Sequence, residues 1–111
     1  MMQVERDDDV IVITVDAARL DAGSATAFHH GASQALKNEK KAVFDLSAVG
    51  FMDSTGVGAL VGVTKTMRKG GGIAVCGLTP AVKTVFTLLR MDMMFKVKPD
   101  RTAAVALLRE T

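Results

Sequence analysis

Apolar residues recur along this chain with two different periods, and the switches between them mark out its elements. Met2 to Arg6 reads as a short strand, Asp7, Asp8 and Asp9 as an acidic turn, and Val10 to Val15 as a strand. That second run is almost wholly apolar and β-branched, as in a strand buried on both faces, and the pair predicts a hairpin. From Ser24, placed as an N-cap, the residues Ala25, Phe28, Ala32, Ala35 and Leu36 fall at helical spacing and predict an amphipathic helix ending near Asn38. Ala42 to Leu46 is the next apolar strand, interrupted by Asp45. A loop follows, and then Val57, Leu60, Val61, Thr64 and Met67 trace one helical face, with Lys65, Arg68 and Lys69 near its C-terminal end. Gly70, Gly71 and Gly72 stop that helix, and Ile73 to Leu78 reads as another buried strand. Strand, helix and strand within about 37 residues form a βαβ unit, which predicts parallel strands and a right-handed crossover. Thr79 and Pro80 open a helix with Val82, Val85, Phe86 and Leu89 on its apolar face. Met91 to Met94 reads as a connection, Phe95 to Val97 as a short edge strand, and Asp100 as the cap of a last helix burying Ala104, Leu107 and Leu108.

The pattern is α/β and contains no repeat, linker or low-complexity segment, so a single domain over residues 1–111 is expected. A chain of 111 residues buries on the order of 65% of its unfolded surface, enough for one core. Hydrophobic residues at 49% and charged residues at 23% give a globular balance. The net charge of +2 is spread over several segments, and with no Trp and no Tyr there is little to stack on bases, so nucleic acid is not an expected partner. Cys76 is the only cysteine, which excludes an intrachain disulfide and a cysteine-based metal cluster; it reads as an inert core thiol. The polar, acidic start has neither the basic patch nor the apolar run of a signal peptide, and no stretch reaches membrane-spanning length. A cytoplasmic protein without membrane contact is the expectation.

Several chemistries fail on spacing. His29 and His30 are neighbours, so on a helix they point about 100° apart and cannot grip one metal as an i, i+4 pair would. The aspartate triplet lacks the alternating ligands and closing glutamate of a calcium loop. Gly70 to Gly72 are followed by Ile73 and Ala74, not by the lysine and hydroxyl of a phosphate-binding loop, and they follow a helix where a dinucleotide site needs a strand. Asp53 to Gly56 has an extra hydroxyl residue compared with an aspartic protease motif, and no serine sits in a G-x-S-x-G elbow. No catalytic residue, metal site or cofactor is therefore expected.

What remains is the stretch Asp53-Ser54-Thr55-Gly56, where an apolar strand and loop deliver an acid and two hydroxyls to a helix start. A hydroxyl there lies beside unpaired backbone N–H groups and the positive end of the helix dipole, which accommodate an added phosphate. The same hydroxyl can serve as a plain N-cap, and Asp53 competes for that role. On the outer side of this helix Thr55, Gly58, Ala59 and Gly62 are small enough for a partner backbone to come close, or for another helix of the same domain to pack.

The segment Val43-Phe44-Asp45-Leu46-Ser47, Val49 and Phe51-Met52-Asp53-Ser54-Thr55-Gly56-Val57-Gly58-Ala59-Leu60 resembles the STAS domain, in particular bacterial anti-sigma-factor antagonists. Leu20-Asp21, Gly77-Leu78, Leu88-Leu89 and Phe95 extend the resemblance over nearly the whole chain. It implies a single STAS-type α/β domain, a small mixed β-sheet of four or five strands packed by about four helices. It also implies a non-enzymatic switch. The unphosphorylated form binds an anti-sigma serine kinase and frees the sigma factor; phosphorylation at the position of Ser54, with Thr55 as the fallback acceptor, ends binding, and a serine phosphatase restores it. Asp53, Ser54, Thr55, Gly56, Gly58, Ala59 and Gly62 then form the partner-binding surface. STAS domains also serve as phosphorylation-independent subunits of transporters and stress-signalling scaffolds, which is the alternative. One departure is that Arg90-Met91-Asp92-Met93 stands where the family turn usually carries a glycine.

Overall fold

Side-chain alternation along the strands decides the architecture, because it divides the buried residues between two faces of one sheet. In the computed structural model, which describes residues 2–110, the strands are β1 (Met2–Asp7), β2 (Val10–Val15), β4 (Ala42–Asp45), β6 (Ile73–Cys76) and β7 (Lys96–Lys98), hydrogen-bonded in that order. Ile11, Ile13, Val15, Ala42, Phe44 and Val75 face one way and Val10, Val12, Val43, Ala74 and Cys76 the other. The first face is covered by α1 (Ala25–Leu36), α2 (Ser54–Thr64) and α3 (Pro80–Leu88), the second by α4 (Arg101–Arg109) alone. β1 and β2 form the expected antiparallel hairpin, and every other ladder is parallel. The chain steps in one direction from β2 through β4 and β6 to β7, so right-handed crossovers set α1, α2 and α3 on the same face.

The departures from expectation have local causes. β6 ends at Cys76 instead of Leu78 because Gly77 takes φ +69°, which turns the chain out of the sheet. β7 begins one residue later than expected: Phe95 is withdrawn into the core, its ring packed against Phe44 and Phe86 at centroid distances of 6.5 and 5.9 Å. α1 stops at Leu36, followed by a left-handed Asn38, and α2 stops at Thr64, with Lys65 to Met67 continuing as turns that donate to the carbonyls of Gly62, Val63 and Thr64. The cations expected at the helix end therefore lie at or beyond its cap. α2 buries Gly56, Val57, Leu60 and Val63, leaving Val61 and Thr64 half-buried. α3 buries Val82 and Phe86 but leaves Leu89 exposed, and α4 buries Val105 in preference to Leu107. Asp100 caps α4 as expected, accepting from the Ala103 N–H at 2.9 Å, whereas Thr79 precedes α3 without capping it and donates to the Val49 carbonyl instead.

Two short strands have no signal in the sequence pattern. β3 (Arg19–Leu20) and β5 (Phe51–Met52) pair in parallel as a second, two-stranded sheet, Arg19 opposite Phe51 and Leu20 opposite Met52. It ties the two loops that lead into α1 and α2.

Candidate functional site

The β3–β5 ladder brings the starts of α1 and α2 side by side, and the candidate residues lie at the second of them. Asp53 leaves β5 in an extended conformation and its Oδ1 accepts from the Gly56 N–H at 2.9 Å, so the aspartate, not the serine, is the N-cap. Ser54 is thereby the first residue of the helix, exposed, with a hydroxyl that makes no hydrogen bond among the described residues. Thr55 is also exposed and lines a shallow cavity of about 300 Å³ with Ala25, Thr26, His29 and Ala59, at the seam between the two helices.

The small residues of α2 divide by what they face. Gly56 is buried, and a Cβ there would overlap the carbonyl of Leu20; it lets the helix start lie directly on β3. Gly62 turns to α1, where a Cβ would stand 3.1 Å from the His29 ring, and Ala59 is half-buried against the core. These three serve packing inside the domain. Gly58 faces open space, with nothing within 4 Å of a Cβ placed on it. Of these residues Ser54, Thr55 and Gly58 are exposed, and Asp53, Ala59 and Gly62 are half-buried.

Beside this surface is a pair that periodicity could not find. The Arg19 guanidinium lies 4.2 Å above the ring of Phe51, which is 39% exposed, and its Nε bonds Asp21 Oδ2 at 3.0 Å. The Arg19 hydrogen bond holds the Asp21 carboxyl below the usual carboxylate range. The only sequence signal was the apolar Phe51-Met52 dipeptide before Asp53. Cys76, deep under α4, is pushed up to about 11 by burial and then by Asp45, so it stays a neutral thiol. Among the described residues no cluster of His, Cys, Asp and Glu could hold a metal, and no helix is long and apolar enough to cross a membrane.

The family profile of the STAS domain matches residues 1–104. The chain belongs to the STAS domain family. An anti-sigma F factor antagonist of Paenibacillus polymyxa is 41% identical over 58 residues, 51% of this chain and 47% of that protein. The match spans about half to two thirds of the length of the curated relatives, 47% in one case and 66% in another. Among solved structures, an anti-sigma factor antagonist of Mycobacterium paratuberculosis superposes with a TM-score of 0.89 at 27% identity, covering 98% of this STAS chain and 93% of that one. SpoIIAA superposes in two states. The unphosphorylated form gives a TM-score of 0.76 at 19% identity, covering 100% of this chain and 98% of that one. The phosphorylated form, from Bacillus, gives 0.64 at 17%, covering 96% and 99%. These likenesses agree with the mixed five-stranded sheet and four helices.

Proposed function

We propose that this STAS domain is an anti-sigma-factor antagonist that works as a phosphorylation switch without catalytic activity of its own. Unmodified, it binds an anti-sigma serine kinase and releases the sigma factor; phosphorylated on Ser54, it lets go, and a serine phosphatase resets it. The observation that carries this reading is the division of labour at the start of α2: Asp53 does the capping, which leaves the Ser54 hydroxyl exposed and unengaged. Relatives named as anti-sigma factor antagonists, and a fold relative solved in a phosphorylated form, support it.

The energetics suit a switch. A phosphate brings a charge of about −1.5 to −2, and at a helix N-terminus the dipole offsets its cost by about 0.3 to 1 kcal/mol, so the fold persists. In an interface the same group would be desolvated beside Asp53 and opposite any nucleotide phosphates in the kinase. Such like-charge contact costs several kcal/mol, and about 3 to 4 kcal/mol weakens binding several hundredfold. Phosphosite mapping on protein from the native cell, with affinity measurements of both forms against the co-purifying kinase, tests this. Ser54→Ala should bind constitutively, and Ser54→Asp should mimic the phosphate incompletely. Equal affinity of the two forms, or phosphate found only elsewhere, promotes the phosphorylation-independent scaffold or transporter role. Gly58→Asp is the clean probe of the interface, because its side chain enters open space; Gly62→Asp would push on His29. It should leave the fold intact and abolish kinase binding. The isolated chain with ATP and magnesium should not phosphorylate itself.

A further inference from the structure

Five of the seven large apolar side chains exposed among the described residues are Leu88, Leu89, Met93, Met94 and Val97, all within the ten residues that run from the last residue of α3 into β7. Next to them a groove runs along the outer side of α3. It comprises three adjoining cavities of about 340, 430 and 380 Å³, joined through Lys83. Leu78, Phe86, Val97 and Leu88 supply apolar walls. Lys83, Arg90 and Lys98 stand on the rim against a single carboxylate, Asp92. Asp92 does little to neutralise them: its Oδ1 is 3.7 Å from Arg90 Nε, and both side chains are largely exposed. Lys83 and Lys98 have no carboxylate partner among the described residues.

We infer that this groove docks an acidic amphipathic segment of a partner protein, with large apolar side chains seated on Leu78, Phe86 and Val97 and carboxylates against Lys83, Arg90 and Lys98. The apolar floor within a cationic rim defines that occupant by charge and shape. A second copy of this chain fits less well. Its acidic hairpin, the one concentration of carboxylates in the fold, already pairs Glu5 with Arg101, Asp7 and Asp8 with Arg109, and Asp9 with Lys41. An anionic bilayer fits less well because it is flat where the groove is concave. Arg90 adds a further sign. It holds a left-handed conformation, φ 55° and ψ 39°, at a position where glycine would be unstrained, and it places a cation on the rim.

The groove is separate from the Ser54 surface, so its test does not depend on the switch. The probes are a synthetic helical peptide with leucine on one face and glutamate on the other, and its twin with lysine for every glutamate. Titrated into the intact protein, the glutamate peptide should bind, shift the amide resonances of Leu78, Lys83 and Val97, and weaken as salt rises. Lys83→Glu should reduce its affinity about tenfold or more. Arg90→Gly should weaken it too while the melting temperature stays level or rises, which separates loss of the cation from loss of the fold. Ser54→Asp should bind the peptide as the parent does. Equal binding of the two peptides, shifts confined elsewhere, or an Arg90→Gly protein that binds as tightly as the parent would overturn the inference. So would binding of the protein to phosphatidylserine vesicles, or self-association in sedimentation, if Lys83→Glu abolished it.

Discussion

The starts of α1 and α2 are built alike and used differently. Each follows one strand of the β3–β5 ladder, each has an aspartate directly after that strand, Asp21 and Asp53, and each has a serine close behind it. At α1 the serine is consumed by structure: Ser24 Oγ accepts from the Asp21 N–H and donates to the Arg19 carbonyl, both at 3.1 Å, while Asp21 accepts from Gly23 N–H and pairs with Arg19. At α2 the aspartate caps alone and the serine is left over. A serine near a helix start is thus no sign of a modification site by itself; what matters is whether another residue has taken the capping work.

That contrast can be broken most forcefully at the glycines. Gly56→Ala drives a methyl into the Leu20 carbonyl and should destabilise the domain by about 2 to 3 kcal/mol in denaturant titration, whereas Gly23→Ala meets only Asp21 Oδ1, at an ordinary 3.5 Å, and should be nearly neutral. A tolerated Gly56→Ala would mean that the start of α2 is not clamped onto β3. Removing the cap is next in size: Asp53→Ala should cost about 1 to 2 kcal/mol, with much of it recovered in Asp53→Asn. Ser24→Ala, which loses two local hydrogen bonds, should cost about 1 kcal/mol. Ser54→Ala should lie within about 0.5 kcal/mol of the parent; a loss as large as that of Ser24→Ala would show a structural duty for Ser54. The smallest effect is electrostatic. Because Arg19 lowers the Asp21 pKa below 3.8, this pairing contributes its full stability above that value and loses it as pH falls through the folded-state pKa. Carboxyl-carbon NMR should show Asp21 titrating late on acidification and returning toward 3.8 in Arg19→Ala.

The four helices and five main strands were legible because each carries a run of spaced or continuous apolar residues, as in Val10 to Val15 or Phe28, Ala32 and Leu36. β3 and β5 were not, since two residues show no period, and their pairing joins Arg19 to Phe51 and Leu20 to Met52 across a long stretch of chain. The Ser54 position could be named from the chain, but which residue caps could not, because Asp53 and Ser54 both suit the role until backbone angles choose between them. The stripe of small residues on α2 read as one surface because helical spacing groups Thr55, Gly58, Ala59 and Gly62. Three-dimensional neighbours divide it, with His29 claiming Gly62 and open space left to Gly58.

Coverage of the second sheet face by α4 alone makes that face depend on the docking of a single helix. The residues that pack against Val10, Val12, Val43, Ala74 and Cys76 on that side are Ala104, Val105 and Leu108, all from this one helix. A domain whose α4 has come away could keep its sheet and α1 to α3 and still present an apolar face to solvent. Cys76 is the natural reporter of that docking: open to alkylation while α4 is away from the sheet, and closed to it once the helix has docked.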